Sequence, residues 1–219
     1  MRTPDKLWPV SVVPALLFVL ITWQVVADGP LVRVDERLSR ALVHPDRFSG
    51  ALSDLGNVQV AVPVLAVVIG LVLRLGRRGG ADRWWLPPLA AAVLMALVPA
   101  FVVPLKDWTD RPGTPVMPSA VGFYPSGHTA TAAVAYGAAT LILLPWLVTA
   151  LARRLLVALC AVVNLGVGFG LVRRGYHWPL DVLASWCMSA VLLCALWVFL
   201  SRSTRRSSSG TPGSSTGPS

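Results

Sequence analysis

Six runs of apolar residues, at about 8–26, 57–75, 84–105, 127–149, 155–172 and 181–200, are separated by polar connections along the 219-residue chain. Each is close to the ~20 residues that carry a helix across the hydrocarbon core of a bilayer. The pattern predicts an all-α fold, a six-transmembrane-helix bundle filling residues 1–201. The first run follows Arg2 and Lys6 as a signal peptide would, but Trp23 and Gln24 interrupt its end and "VVADGP" is a weak cleavage site, so it reads as a span. The stretch "VRVDERLSRALVHPDRFSGALSDLG" within 28–56 is too polar to cross. Its apolar residues recur at helical spacing, which predicts an amphipathic helix lying on the membrane surface, while His44, Pro45 and Asp46 read as a turn. The tail from 202 to 219 is rich in Ser, Gly and Pro and predicts disorder.

Composition agrees with the pattern. Charged residues make up 13% of the chain and hydrophobic ones 55%, about half the charge of a typical soluble domain. The net charge of +9 is dispersed over loops and flanks with no basic face interleaved with aromatics, so it points to anchoring on anionic lipid and away from nucleic acid. Cys160, Cys187 and Cys194 all fall in apolar runs, without disulfide or metal-ligand spacing.

Orientation follows from lysine and arginine placement. With the N-terminus in the cytoplasm, eleven fall inside: Arg2, Lys6, Arg74, Arg77, Arg78, Arg83, Arg153, Arg154, Arg202, Arg205 and Arg206. Eight fall outside: Arg33, Arg37, Arg40, Arg47, Lys106, Arg111, Arg173 and Arg174. This multi-pass arrangement in the cell membrane puts both termini in the cytoplasm.

Three polar clusters then share the extracytoplasmic face. "KDWTDRP" follows the third span, "YPSGHT" opens the fourth, and "RRGYHWPLD" lies between the fifth and sixth. A charge facing hydrocarbon costs ~2.5–3.5 kcal/mol on insertion scales, so together these residues predict a polar site at the membrane surface. "PSGH" stands where loop becomes helix, where outward N–H groups and the helix dipole favour an anion. Gly127 admits an oxygen close to the backbone, Ser126 offers a hydroxyl, and Lys106 and Arg111 supply cations suited to phosphate. Pro179 suits the first turn of the last helix, which places Asp181 four residues beyond His177 and within reach of its ring. A carboxylate on one ring nitrogen fixes the tautomer and raises the nucleophilicity of the other. His128 is a second histidine, available as proton donor. Such a set suits phosphoryl transfer through a phosphohistidine. Trp108 and Trp178 read as aromatic-belt residues.

"K…RP", "PSGH" and "HxxxD", in this order on six spans, resemble the type 2 phosphatidic acid phosphatase superfamily, whose pattern is KxxxxxxRP, PSGH and SRxxxxxHxxxD. The resemblance covers roughly 84–200. It implies an integral membrane lipid phosphatase in which His177 attacks phosphorus, Asp181 orients it, and His128 protonates the leaving oxygen. Lys106, Arg111, Ser126, Gly127 and one of Arg173 or Arg174 would hold the phosphate. No cofactor and no metal are implied; Asp107 and Asp110, set among three or four cations, make a poor cation site. Two positions depart from the pattern: Gly113 stands where the first family arginine is expected, and Gly170 and Leu171 stand at the Ser-Arg pair. Isoprenyl diphosphates such as undecaprenyl diphosphate, phosphatidic acid and phosphatidylglycerol phosphate are the implied substrates. The alternatives are a phosphotransferase using the same histidine, a catalytically impaired lipid-phosphate binder, and a transporter, for which Asn164 alone speaks.

Overall fold

Long apolar stretches in which every backbone polar group must find a partner internally fold as helices. The computed structural model describes residues 8–80 and 83–208. Among these it contains eight α-helices: α1 (Trp8–Val26), α2 (Pro30–Leu42), α3 (Arg47–Asp54), α4 (Val58–Arg78), α5 (Leu86–Thr109), α6 (Gly127–Leu143), α7 (Ala150–Arg173) and α8 (Pro179–Ser208). Helices α4 to α8 are long and apolar enough to cross a membrane, and α1 with α2 completes the set to six as a pair bent by 89°. The protein is a multi-pass helical membrane protein.

The six expected spans correspond to α1 and α4–α8. The third reaches four residues beyond the expected 105, so Lys106 belongs to the last turn of α5. The last continues past 201 to Ser208, so residues 202–208, expected to be disordered, lie in helix. Residues 209–219, and Arg2 and Lys6 at the other end, fall outside the described residues. The single surface helix expected over 28–56 is two helices, broken at His44–Pro45 as the turn signal required. Asp46 starts the second with a reciprocal cap: its carboxylate accepts from Ser49 N–H at 2.7 Å, and Ser49 Oγ accepts from Asp46 N–H at 3.2 Å.

Helix α6 is the axis of the bundle and packs against α4, α5, α7 and α8. Its sequence "GHTATAAVAYGAATLIL" explains why: Ala130, Ala132, Ala135 and Ala138 are fully buried. In lipid no hydrophobic gain holds helices together, so small side chains that let backbones approach supply the contact. The same device brings α3 onto α7. At Gly170 an added Cβ would stand 2.7 Å from Ser49 O and from Ser53 N, so only glycine fits beneath α3. Helices α4 and α5, by contrast, touch each other little and leave a groove between them.

Helix α2 has three faces. At 100° per residue, Leu31, Val34, Leu38 and Leu42 form one exposed apolar stripe. Val32, Asp35 and Ser39 face the protein and are buried. Arg33, Arg37 and Arg40 are exposed on the side away from the apolar stripe. With its axis turned from α1 by 89°, this distribution is that of a helix lying in the membrane interface, apolar stripe toward the acyl chains.

Candidate active site

The site forms where three connections meet above the ends of α5, α6 and α7. Helix α5 stops at Asp110, whose left-handed backbone (φ 42°) turns the chain inward. The following loop closes on itself through a bridge between Pro112 and Val121. It is tied to the α7–α8 connection by Thr114 Oγ1, which donates to Gly175 O, and by Trp178 Nε1, which donates to Pro112 O at 3.1 Å. The α2–α3 turn joins through His44 N–H to Arg173 O at 3.0 Å. His44 itself is exposed and takes no part in the cluster of catalytic candidates.

His177 sits just before α8 and is 7% exposed. Its Nδ1 lies 3.2 Å from Asp181 Oδ2, which also accepts from Trp178 N–H at 3.2 Å. With Nδ1 engaged, Nε2 is the nitrogen left for chemistry. The ring of His128 faces that of His177 with centroids 6.4 Å apart, and Phe123 packs against His177 at 5.5 Å. His128 is open to the cavity.

Gly127 and His128 open α6, behind the cap residue Ser126. Ser126 is fully buried; its Oγ accepts from Thr129 Oγ1 at 3.0 Å and from Thr129 N–H at 3.3 Å. Its N–H donates to Asp181 O at 3.3 Å and its carbonyl accepts from Ser185 Oγ at 2.9 Å. Ser126 therefore shapes the turn and ties α6 to α8 beside the His177–Asp181 pair. Lys106 Nζ donates to Gly122 O across the cavity mouth.

Lys106, Gly127, His128 and His177 line one cavity of about 1170 Å³, together with Phe123 and Tyr176. From Lys106 the cavity runs down the α4–α5 groove to Ala92, about 21 Å along α5 at 1.5 Å per residue. Below the mouth its walls are apolar: Val62, Leu65, Ile69, Met95 and Val98 among others.

The arginines are elsewhere. Arg111, 5% exposed, bridges two carboxylates: Nη1 to Asp181 Oδ1 at 2.5 Å and Nη2 to Asp35 Oδ2 at 2.6 Å. Burial works against its charge, but Asp181 and Asp35 outweigh that and hold its pKa above the ordinary value. Arg173 Nε donates to Asp46 Oδ2 at 2.8 Å. Arg174 Nη2 donates to Tyr176 Oη at 2.8 Å, which places it beside a cavity-lining residue. Trp178, expected in an aromatic belt, is instead buried against the Arg111 guanidinium at 5.4 Å; its hydrogen bond to Pro112 draws it inward. Trp108 is exposed, as a belt residue would be. Asp35 is the functional candidate that sequence reasoning passed over, read only as one position of an amphipathic surface helix. Its signal was its register, on one face of α2 with Val32 and Ser39.

The departures from the family pattern have steric causes. At Gly113 an added Cβ would stand 2.0 Å from Met117 O and 2.8 Å from Ala120 O, so this tight loop has no room for an arginine. Gly170 lies beneath α3, and Leu171 is buried in the core.

Fold and site together define a helical membrane protein with a paired-histidine centre at the mouth of an apolar groove. Residues 87–205, more than half of the chain, match the PAP2 superfamily, and the chain belongs to that superfamily, with the fold of its membrane phosphatases. The structure is similar to the crystal structure of a transmembrane PAP2-type phosphatidylglycerolphosphate phosphatase from Bacillus subtilis, with a TM-score of 0.75 and 21% identity over 88% of this chain and 96% of that one. No curated protein is matched by the sequence.

Proposed function

We propose that this protein hydrolyses a lipid phosphate or diphosphate through a phosphohistidine on His177, at the extracytoplasmic face. The observation that carries the reading is the His177–Asp181 pair facing His128 at the head of an apolar groove. Nε2 of His177 attacks phosphorus while the bond to the lipid oxygen breaks and His128 gives that oxygen its proton. His128 then takes a proton from water, whose oxygen attacks the phosphohistidine and releases inorganic phosphate. Asp181 keeps the ring oriented throughout.

The phosphate is held by Lys106 and by the N–H groups at the start of α6, where the helix dipole favours an anion. Of the two neighbouring arginines, Arg174 is the better placed through its contact with Tyr176, whereas Arg173 is turned onto Asp46. Arg111 acts behind Asp181, and Ser126 acts by shaping the turn. The groove suits a long hydrocarbon chain: a depth of about 21 Å exceeds half of a ~30 Å hydrocarbon core. Undecaprenyl diphosphate, phosphatidic acid and phosphatidylglycerol phosphate all fit that description.

The test is phosphate release from these lipids in detergent micelles containing EDTA, comparing wild type with His177→Ala. Release that persists in EDTA and falls to background in the variant is the expected result; release that survives in His177→Ala would sink the mechanism. One observation favours a second reading, a lipid-phosphate binder with impaired catalysis: among the described residues, no arginine lines the cavity. That reading requires folded wild-type protein to bind phosphatidic acid without releasing phosphate.

A further inference from the structure

Arg111 poses an electrostatic problem. A guanidinium 2.5 Å from the carboxylate that orients the catalytic histidine would by itself cancel the charge that carboxylate offers to the imidazole. Asp35 answers it. Buried to 3% exposure on the inner face of α2, it takes the other end of the same guanidinium at 2.6 Å. Its second oxygen accepts from Leu180 N–H at 2.9 Å, in the first turn of the helix that carries Asp181. Two carboxyl groups thus share one guanidinium, with burial raising the Asp35 pKa more than Arg111 lowers it, and the second oxygen of Asp181 faces His177. The fork geometry of arginine makes the bridge possible, since both carboxylates are met by separate nitrogens of one plane.

We infer that Asp35 is a positioning residue for the reaction: it takes the far end of the Arg111 guanidinium and anchors the start of α8, so that the Asp181 carboxylate stays aligned toward His177. The inference rests on His177 being the nucleophile. It also gives α2 a task, because the helix that presents Asp35 is seated by its stripe of Leu31, Val34, Leu38 and Leu42. The link runs from a membrane-facing helix through two ion pairs to the nucleophile.

Asp35→Asn keeps the shape and the acceptor for Leu180 N–H and removes the charge. Partners one layer behind a metal ligand are typically worth about 10- to 100-fold in activity, and Asp35 stands in a like relation to the His177–Asp181 pair. The expected result for Asp35→Asn is therefore a fall in kcat of about 10- to 100-fold, with KM for phosphatidic acid within about twofold of wild type. Asp35→Glu, which restores the charge, should recover most of the loss. A residue that only held the fold would instead lower the yield of folded protein and leave kcat per folded molecule unchanged.

A second readout needs no turnover. With only three histidines in the chain, ¹⁵N-histidine labelling allows the ring N–H signal of His177 to be assigned by its loss in His177→Gln. Asp35→Asn should move that signal. If the variant does not fold, Arg111→Lys replaces it, keeping the charge but losing the fork that spans both carboxylates; the same fall in kcat and a moved signal are expected. An unmoved His177 signal together with unchanged kcat overturns the inference. Retained activity in His177→Ala would instead overturn the phosphohistidine reading, and the His177 signal would still decide whether Asp35 controls that ring.

Discussion

The two halves of the site are built on opposite plans. On one side His177, Asp181, Arg111 and Asp35 are buried and each is hydrogen-bonded to the next. On the other side Lys106, Gly127 and His128 face an open cavity that continues into an apolar groove. The buried half spends its hydrogen-bonding capacity within the protein and presets one geometry. The open half keeps the N–H groups at the start of α6 turned to the cavity, with Lys106, bonded to Gly122 O, at its mouth. The proposed reaction, which forms and breaks a bond on one histidine, needs both a fixed nucleophile and a cradle open to the ligand.

The largest effect is expected in the buried half. Asp181→Asn removes the orienting charge, and loss of the equivalent role in a serine-protease triad costs ~10⁴-fold in kcat; a fall of about that size, read as phosphate release per folded molecule, is expected here. A change smaller than about tenfold would mean that Asp181 is a structural group only.

The open half should respond through binding. Lys106→Met removes a cation from the mouth, and a hydrogen bond to a charged group contributes ~1.5–3 kcal/mol. The expected outcome is a KM raised by roughly 10- to 100-fold with a smaller effect on kcat, measured over a phosphatidic acid concentration series. An effect confined to kcat would move Lys106 to the chemical step.

A third change sharpens the boundary between site and scaffold. Gly170→Ser installs the residue of the family pattern under α3, where its Cβ would press on Ser49 and Ser53. Overpacking of this kind costs ~1–3 kcal/mol, to be seen as a lower thermal midpoint in detergent. An unchanged midpoint would show that α3 is free to lift.

The smallest effect is expected at the rim. The N–H of Ser49, helped by Arg173, holds the Asp46 carboxyl down at about 2. Because the folded value lies below the ordinary 3.8, this contribution to stability is complete above 3.8 and is lost as the pH falls toward 2. Asp46→Asn should flatten that acid-side loss in thermal unfolding across a pH series; an unaltered slope would assign it to other carboxylates.

Much of this was legible in the chain. Runs of about twenty apolar residues yielded the six spans because a bilayer imposes length and composition on anything that crosses it. "PSGH" and "HWPLD" were readable because a helix N-terminus and an i, i+4 pair are local geometries; the His177–Asp181 contact and the Ser126 cap lie where that spacing puts them. The arginines were not readable. Their side chains are long, and which carboxylate each one meets depends on elements far apart in sequence: Asp35 and Arg111 are 76 positions apart, Asp46 and Arg173 127.

The helical membrane fold, the three polar connections and the histidine–aspartate pair were set within the sequence, since each follows from local periodicity or from the cost of charge in lipid. Packing between helices decided that Arg111 bridges Asp181 and Asp35, and that glycines at 113 and 170 are demanded by neighbouring backbone. Those outcomes depend on where separate helices meet, and the distances of a few ångströms that settle them are set by packing.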